Sequence, residues 1–174
     1  GECDVAGVHL MDPGSGEYNR PFLTEALELV PGYRREQGIV FRPGDARFEG
    51  RSAEEAVALA AKSPDCIMMN RNPGSGTRIL VDRLLGAARP PGYTSQARTH
   101  NAVAAAVAQG RADWGVAIRP VATSYRLGFL PLQDEHYDFV LPRERLGRAP
   151  VRRFLELLRD PEVREALARL GFRP

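Results

Sequence analysis

The chain has 174 residues, 43% hydrophobic, 26% charged and 7% aromatic, with a net charge of +2. That size suits one compact domain or two small lobes, and the balance of apolar and charged residues excludes wholesale disorder. No apolar run approaches the roughly 20 residues that cross a bilayer, and no charged-then-apolar leader opens the sequence, so a cytoplasmic protein without a membrane partner is expected. The net charge is too small to imply nucleic acid. Of the 24 basic residues only Lys62 is a lysine, a skew that fits a GC-rich genome. Reading these arginines as anion binders requires that their forks converge. Cys3 and Cys66 form neither a zinc spacing nor a disulfide framework and read as buried or incidental thiols in a reducing compartment.

In chain order, Asp4 to Leu10 reads as a short buried strand ended by the loop Asp12-Pro13-Gly14-Ser15-Gly16. Asn19 is placed to cap a helix with Pro21 in its first turn and Leu23, Ala26, Leu27 and Val30 on one face, stopped by Pro31-Gly32. Gln37 to Phe41 is a second strand, closed by Pro43-Gly44. Ser52-Ala53-Glu54-Glu55 is a capping box launching a helix through Lys62. Cys66 to Met69 is a third strand, leading through Asn72-Pro73-Gly74-Ser75-Gly76 into a helix opened by Thr77. Thr99 caps an Ala/Val helix from Asn101 to Gln109, stopped by Gly110. A strand at Trp114–Ile118, a short helix around 121–127, and strands at 129–132 and 137–141 follow. Two helices, Pro150–Arg159 and Pro161–Leu170, end the chain. This alternation predicts an α/β fold with a largely parallel sheet.

The strongest chemical signal is Asn70-Arg71-Asn72-Pro73-Gly74-Ser75-Gly76-Thr77-Arg78, joining a strand to a helix. Glycines allow close backbone approach, and the free N–H groups of a helix start carry the positive end of its dipole. Ser75 and Thr77 add hydroxyls, and Arg71 and Arg78 add forks, so a small oxyanion or carboxylate fits. The same pattern also reads as a glycine-rich turn with self-capping hydroxyls. It is neither a Walker loop, lacking the lysine and spacing, nor a Rossmann fingerprint. No nucleophile elbow, H-E-x-x-H or C-x-x-C occurs, so no catalytic residue, metal or cofactor is implied. His9, His100 and His136 read as capping or hydrogen-bonding residues. Glu135 and Asp138 read as solvated charge at a strand start, and Trp114 as core. Tyr33–Gly38 and Arg98–Asn101 are polar clusters at element ends, where α/β folds gather ligand groups and where ordinary solvated caps also sit.

Together the series "DVAGVHLMD…GEYNRPF", "YRREQGIVF", "NRNPGSGTRILVDRLL", "THNAVAAAVAQGRADWGVAI" and "DEHYDFVLPR" resembles the type 2 periplasmic-binding-protein-like domain fused to helix-turn-helix regulators or molybdopterin-biosynthesis proteins. The resemblance runs from about residue 4 to the C-terminus. It implies an α/β fold of two lobes with a ligand in a central cleft. Residues 1–44 and 129–174 would build the first lobe and its crossovers, and 45–128 the second. A strand–helix–strand unit usual in the family does not precede this stretch, so the first lobe looks truncated, or is completed by a neighbouring chain or by further sequence. The resemblance further implies a non-catalytic sensor of a small anion, with molybdate or tungstate as first candidates. A LysR-like effector domain for an organic acid, or a component of molybdenum-cofactor biosynthesis, are the alternatives. The expected ligand set is Ser75, Gly76, Thr77, Arg78, Arg71 and His100, completed by Arg35, Gln37, Tyr18 or Asn19. A small anionic ligand, a fused or separate DNA-binding or molybdopterin-biosynthesis module, and a second copy of the chain are the expected partners.

Overall fold

A computed structural model describes residues 3–12 and 14–174, so Pro13 of the first predicted loop lies outside the described residues. The chain divides into two compact units, 36–133 and 1–35 with 134–174. Two long strands, β2 (Leu27–Phe41) and β6 (Gly128–Pro142), contribute residues to both.

In the 36–133 unit the strand order is β6-β2-β5-β3-β4, where β3 is Met68–Arg71, β4 Gln96–Ala97 and β5 Trp114–Ile118. The sheet is mixed rather than largely parallel: β3 runs parallel to β4 and β5, but β2 pairs antiparallel with β5, Gln37 facing Ile118 and Phe41 facing Trp114. Period-2 alternation sends neighbouring residues to opposite faces. Ile39, Phe41, Trp114 and Val116 pack with α1 (Ala53–Lys62) and α2 (Gly76–Leu85), burying Phe48, Ala56, Val57, Val81 and Leu85 among them. Val40 and Ala117 pack against Val103, Ala106 and Val107 of α3 (His100–Ala108) and Ala122 of α4 (Arg119–Ser124). Trp114 is fully buried, as a core residue should be. The Ser52–Glu55 capping box forms in both directions, at 3.2 and 2.9 Å. Cys66 is buried in this core, which pushes its thiol up to about 11, whereas Cys3 is exposed.

The 1–35/134–174 unit contains β1 (Ala6–Val8), antiparallel to β6, the adjoining half of β2, and two C-terminal helices. These are α5 (Ala149–Arg159) and α6 (Pro161–Arg169), the latter capped by Asp160. The helix expected from residue 21 to 30 does not form. A single 3-10 turn, Arg20–Phe22, stands there, Asn19 makes no side-chain cap, and β2 starts at Leu27. A lone ten-residue helix is marginal without a packed face, whereas Leu27-Glu28-Leu29 already alternates and the strand runs on through Pro31 and Gly32. A Cβ on Gly32 would collide with the Tyr137 carbonyl oxygen, and its N–H donates to Asp138 Oδ1 at 3.2 Å. The expected stop signal is therefore a point of close strand contact. The two strands expected at 129–132 and 137–141 are likewise one, β6.

Candidate functional site

The loop from Asn70 to Arg78 is built by its own hydrogen bonds. Asn70 is buried, donates to the Tyr93 carbonyl at 3.0 Å and accepts from the Arg71 N–H. Gly74 turns the chain at φ +80°, a region a side chain would strain. Ser75 is the N-cap of α2: its hydroxyl accepts from the Arg78 N–H at 3.2 Å and donates to the Asn72 carbonyl at 3.0 Å. Among the described residues the N–H groups of Gly76 and Thr77 take no acceptor. They are the orphan donors of a ten-residue helix, at the positive end of its dipole.

The arginines of the loop serve it from within. Arg78 grips Asp82 through Nε at 2.8 and 3.0 Å, donates to the Arg71 carbonyl at 3.2 Å, and lies over the Tyr93 ring, 4.4 Å from its centroid. Tyr93 in turn donates to Asp82 at 2.8 Å. Arg71 donates to the carbonyls of Ala97 and Arg98 at 3.2 and 3.1 Å, and its Nη1 lies 3.2 Å from His100 Nδ1. Thr99, not His100, caps α3. The structure thus brings Arg71, Ser75, Gly76, Thr77, Arg78 and His100 together on one side of the 36–133 unit, with its guanidiniums already engaged.

The remaining four residues are placed differently. Gln37 lies in β2 of the same unit, 1% exposed, its Oε1 without a hydrogen-bond partner among the described residues. Tyr18, Asn19 and Arg35 belong to the other unit. Tyr18 stacks on His136, centroids 5.1 Å apart, and donates to the Asp134 carbonyl. Asn19 is buried at φ +60°, accepts from the Leu10 N–H at 2.7 Å and donates to Asp138 at 2.8 Å. Its amide is a structural pin.

Arg35 is ion-paired to Glu135, whose other oxygen lies 3.1 Å from His9 Nδ1. Neither Glu135 nor Asp138 is solvated charge. Glu135 is 2% exposed, and Asp138 is held by Asn19 and Gly32. Burial pushes the Glu135 carboxyl up, but the His9 contact and the Arg35 charge outweigh it and hold the group at about 2. The sequence signal for this was alternation: Glu135 shares a strand face with Tyr137 and Phe139, whose rings pack beside Tyr33.

A family model described as "PBP superfamily domain" matches residues 1–159. An uncharacterized protein, YvgK of Bacillus subtilis (strain 168), is 32% identical over 152 residues, covering 81% of this chain and 47% of its own length. The chain thus spans about half of that relative. An ABC-type phosphate transport receptor from Vibrio cholerae superposes with a TM-score of 0.61 at 10% identity, over 98% of this chain and 80% of its own. The regulatory domain of MetR, a LysR family regulator from N. meningitidis, gives 0.62 at 11%, over 94% and 73%. The chain belongs to the PBP superfamily domain family and has the type 2 periplasmic-binding-protein-like fold, a ligand-binding architecture. Among the described residues no helix is long and apolar enough to cross a membrane.

Proposed function

We propose that the chain is a non-catalytic domain that binds a small oxyanion at the N-terminus of α2. The observation that carries this reading is the pair of unclaimed N–H groups at Gly76 and Thr77, behind a helix already capped by Ser75. An anion leaving water needs donors fixed in advance, and these require no rearrangement. The phosphate transport receptor of the same fold supports an anionic ligand. Molybdate and tungstate head the candidates, followed by phosphate and sulfate. Arg71 and Arg78 support the loop and lend charge rather than direct bonds, and His100 steadies Arg71.

Gly76→Pro is the cleanest test. Gly76 is the first helical residue, where proline is favoured, and Ser75 already has the extended backbone, φ −79° and ψ 144°, that a following proline requires. The substitution removes one donor and leaves the helix intact. Calorimetric titration with the four anions is expected to show affinity weakened by about 1–2 kcal/mol in Gly76→Pro. Equal binding by wild type and Gly76→Pro overturns the site. Absence of binding by any anion overturns the oxyanion reading.

The LysR family neighbour favours a second reading, an effector domain for an organic acid whose carboxylate would take the same two amides. A panel of mono- and dicarboxylates in the same titration separates the two. Leu10 and Phe22, 51% and 50% exposed beside the apolar hollow between Val8 and Val140, support self-association, which sedimentation velocity tests.

A further inference from the structure

The 1–35/134–174 unit has a concavity of about 720 Å³ that the α2 site does not use. Strand alternation divides the chemistry of this unit: Arg35, Glu135, Tyr137 and Phe139 share one face, while Arg34, His136 and Asp138 point to the other. The lining of the concavity includes Arg34 and His136 of that second face, with Tyr18, Arg20, Arg164 and Arg173 beside them and Tyr33 at its border. Arg34 and Arg173 are brought side by side by two backbone hydrogen bonds, 2.7 and 2.9 Å long. The guanidinium of Arg173 is ion-paired with Asp134. Among the described residues no acidic side chain pairs with Arg20, Arg34 or Arg164. The one acidic side chain among the described lining residues, Asp138, has both oxygens bound, to Asn19 and to the Gly32 N–H.

Guanidiniums that line one concavity without neutralising partners leave its potential positive, and their planar forks match phosphoryl oxygens two at a time. The volume lies within the range of about 300–1,000 Å³ usual for pockets that hold organic ligands, well beyond a single oxyanion. We propose that this concavity is a second, independent binding site for a ligand carrying two or more linked phosphoryl groups, bridged by Arg20, Arg34 and Arg164. The stacked Tyr18–His136 pair forms an adjoining flat wall suited to a ring substituent.

The test is calorimetric titration of the chain with inorganic pyrophosphate, ADP and orthophosphate. Pyrophosphate or ADP is expected to bind roughly tenfold or more tightly than orthophosphate, and Arg20→Gln, Arg34→Gln and Arg164→Gln each to weaken that binding roughly tenfold, as loss of a charge-assisted contact does. Tighter binding of ADP than of pyrophosphate assigns an organic diphosphate, and the reverse assigns the inorganic one. Arg153→Gln, an exposed change on α5, should bind as wild type does. These arginines are exposed, so unaltered circular dichroism is expected for every variant. The site is overturned if neither diphosphate binds, if Arg153→Gln weakens binding as much as the other three, or if binding is lost in Gly76→Pro alone.

Discussion

Glu135 shows what a single buried charge does to this protein. Its carboxyl stands at about 2 instead of 4.5 because His9 and Arg35 outweigh the burial that alone would raise it. A depressed carboxylate contributes stability that is complete above the unfolded value and lost as pH falls through the folded one. Urea denaturation of wild type should therefore lose midpoint between pH 4.5 and 2, and Glu135→Gln should flatten that stretch of the curve. Arg35→Ala leaves the carboxylate buried without its guanidinium partner and should cost about 3–5 kcal/mol at pH 7. A wild-type midpoint in Arg35→Ala would show that the pair carries no stability. At this scale the sequence was only partly legible. The glycine-serine loop and its helix start could be read from spacing. The engagement of Arg78 could not be read from charge alone, although Asp82 four residues on was a competing partner in plain view. Arg35 and Glu135 lie a hundred positions apart, and only tertiary structure joins them.

At the scale of elements, legibility followed local hydrogen bonding. Helices α1 and α3 announce themselves because Ser52 and Thr99 each cap the backbone three residues on, whereas α2, expected to open at Thr77, is capped by Ser75 and starts at Gly76. Ser52→Ala should cost about 1 kcal/mol in thermal unfolding, the usual worth of such a cap. Ser75→Ala should cost as much, so a loss of ligand affinity there would mix helix stability with binding, which Gly76→Pro avoids. Strand β2 was illegible over its first half. Leu23, Ala26, Leu27 and Val30 have helical spacing, and Pro31-Gly32 looks like a terminator. What decides the matter is β6, whose backbone lies so close to Gly32 that no side chain fits. Gly32→Ala should therefore destabilise by about 1–3 kcal/mol, the usual cost of overpacking. An unchanged melting temperature in that variant would mean the two strands can separate there without cost.

Across the whole molecule the apolar core is unevenly shared. Of the fully buried hydrophobic residues described, all but Leu141 and Val151 belong to the 36–133 unit. That unit has helices on both faces of its strands, whereas the other relies on an aromatic group, Tyr33, Tyr137, Phe139, Phe154 and Phe172, and on ion pairs such as Asp4 with Arg145 and Arg148. Exposed ion pairs contribute about 0–1 kcal/mol each and weaken with salt. Burial, by contrast, stabilises by roughly 25 cal/mol for each Å² of apolar surface. Local stability should follow that division. In native-state hydrogen exchange the amides of β5, from Trp114 to Ile118, should open only with global unfolding. Those of β1 and of residues 134–141 should exchange through a cheaper opening, and 0.5 M salt should make it cheaper still by weakening the Asp4 pairs. The cleanest marker within one strand is β6, whose amides before and after Gln133 should report different opening energies. Uniform protection along β6 would show instead that the two long strands fuse both units into a single cooperative block.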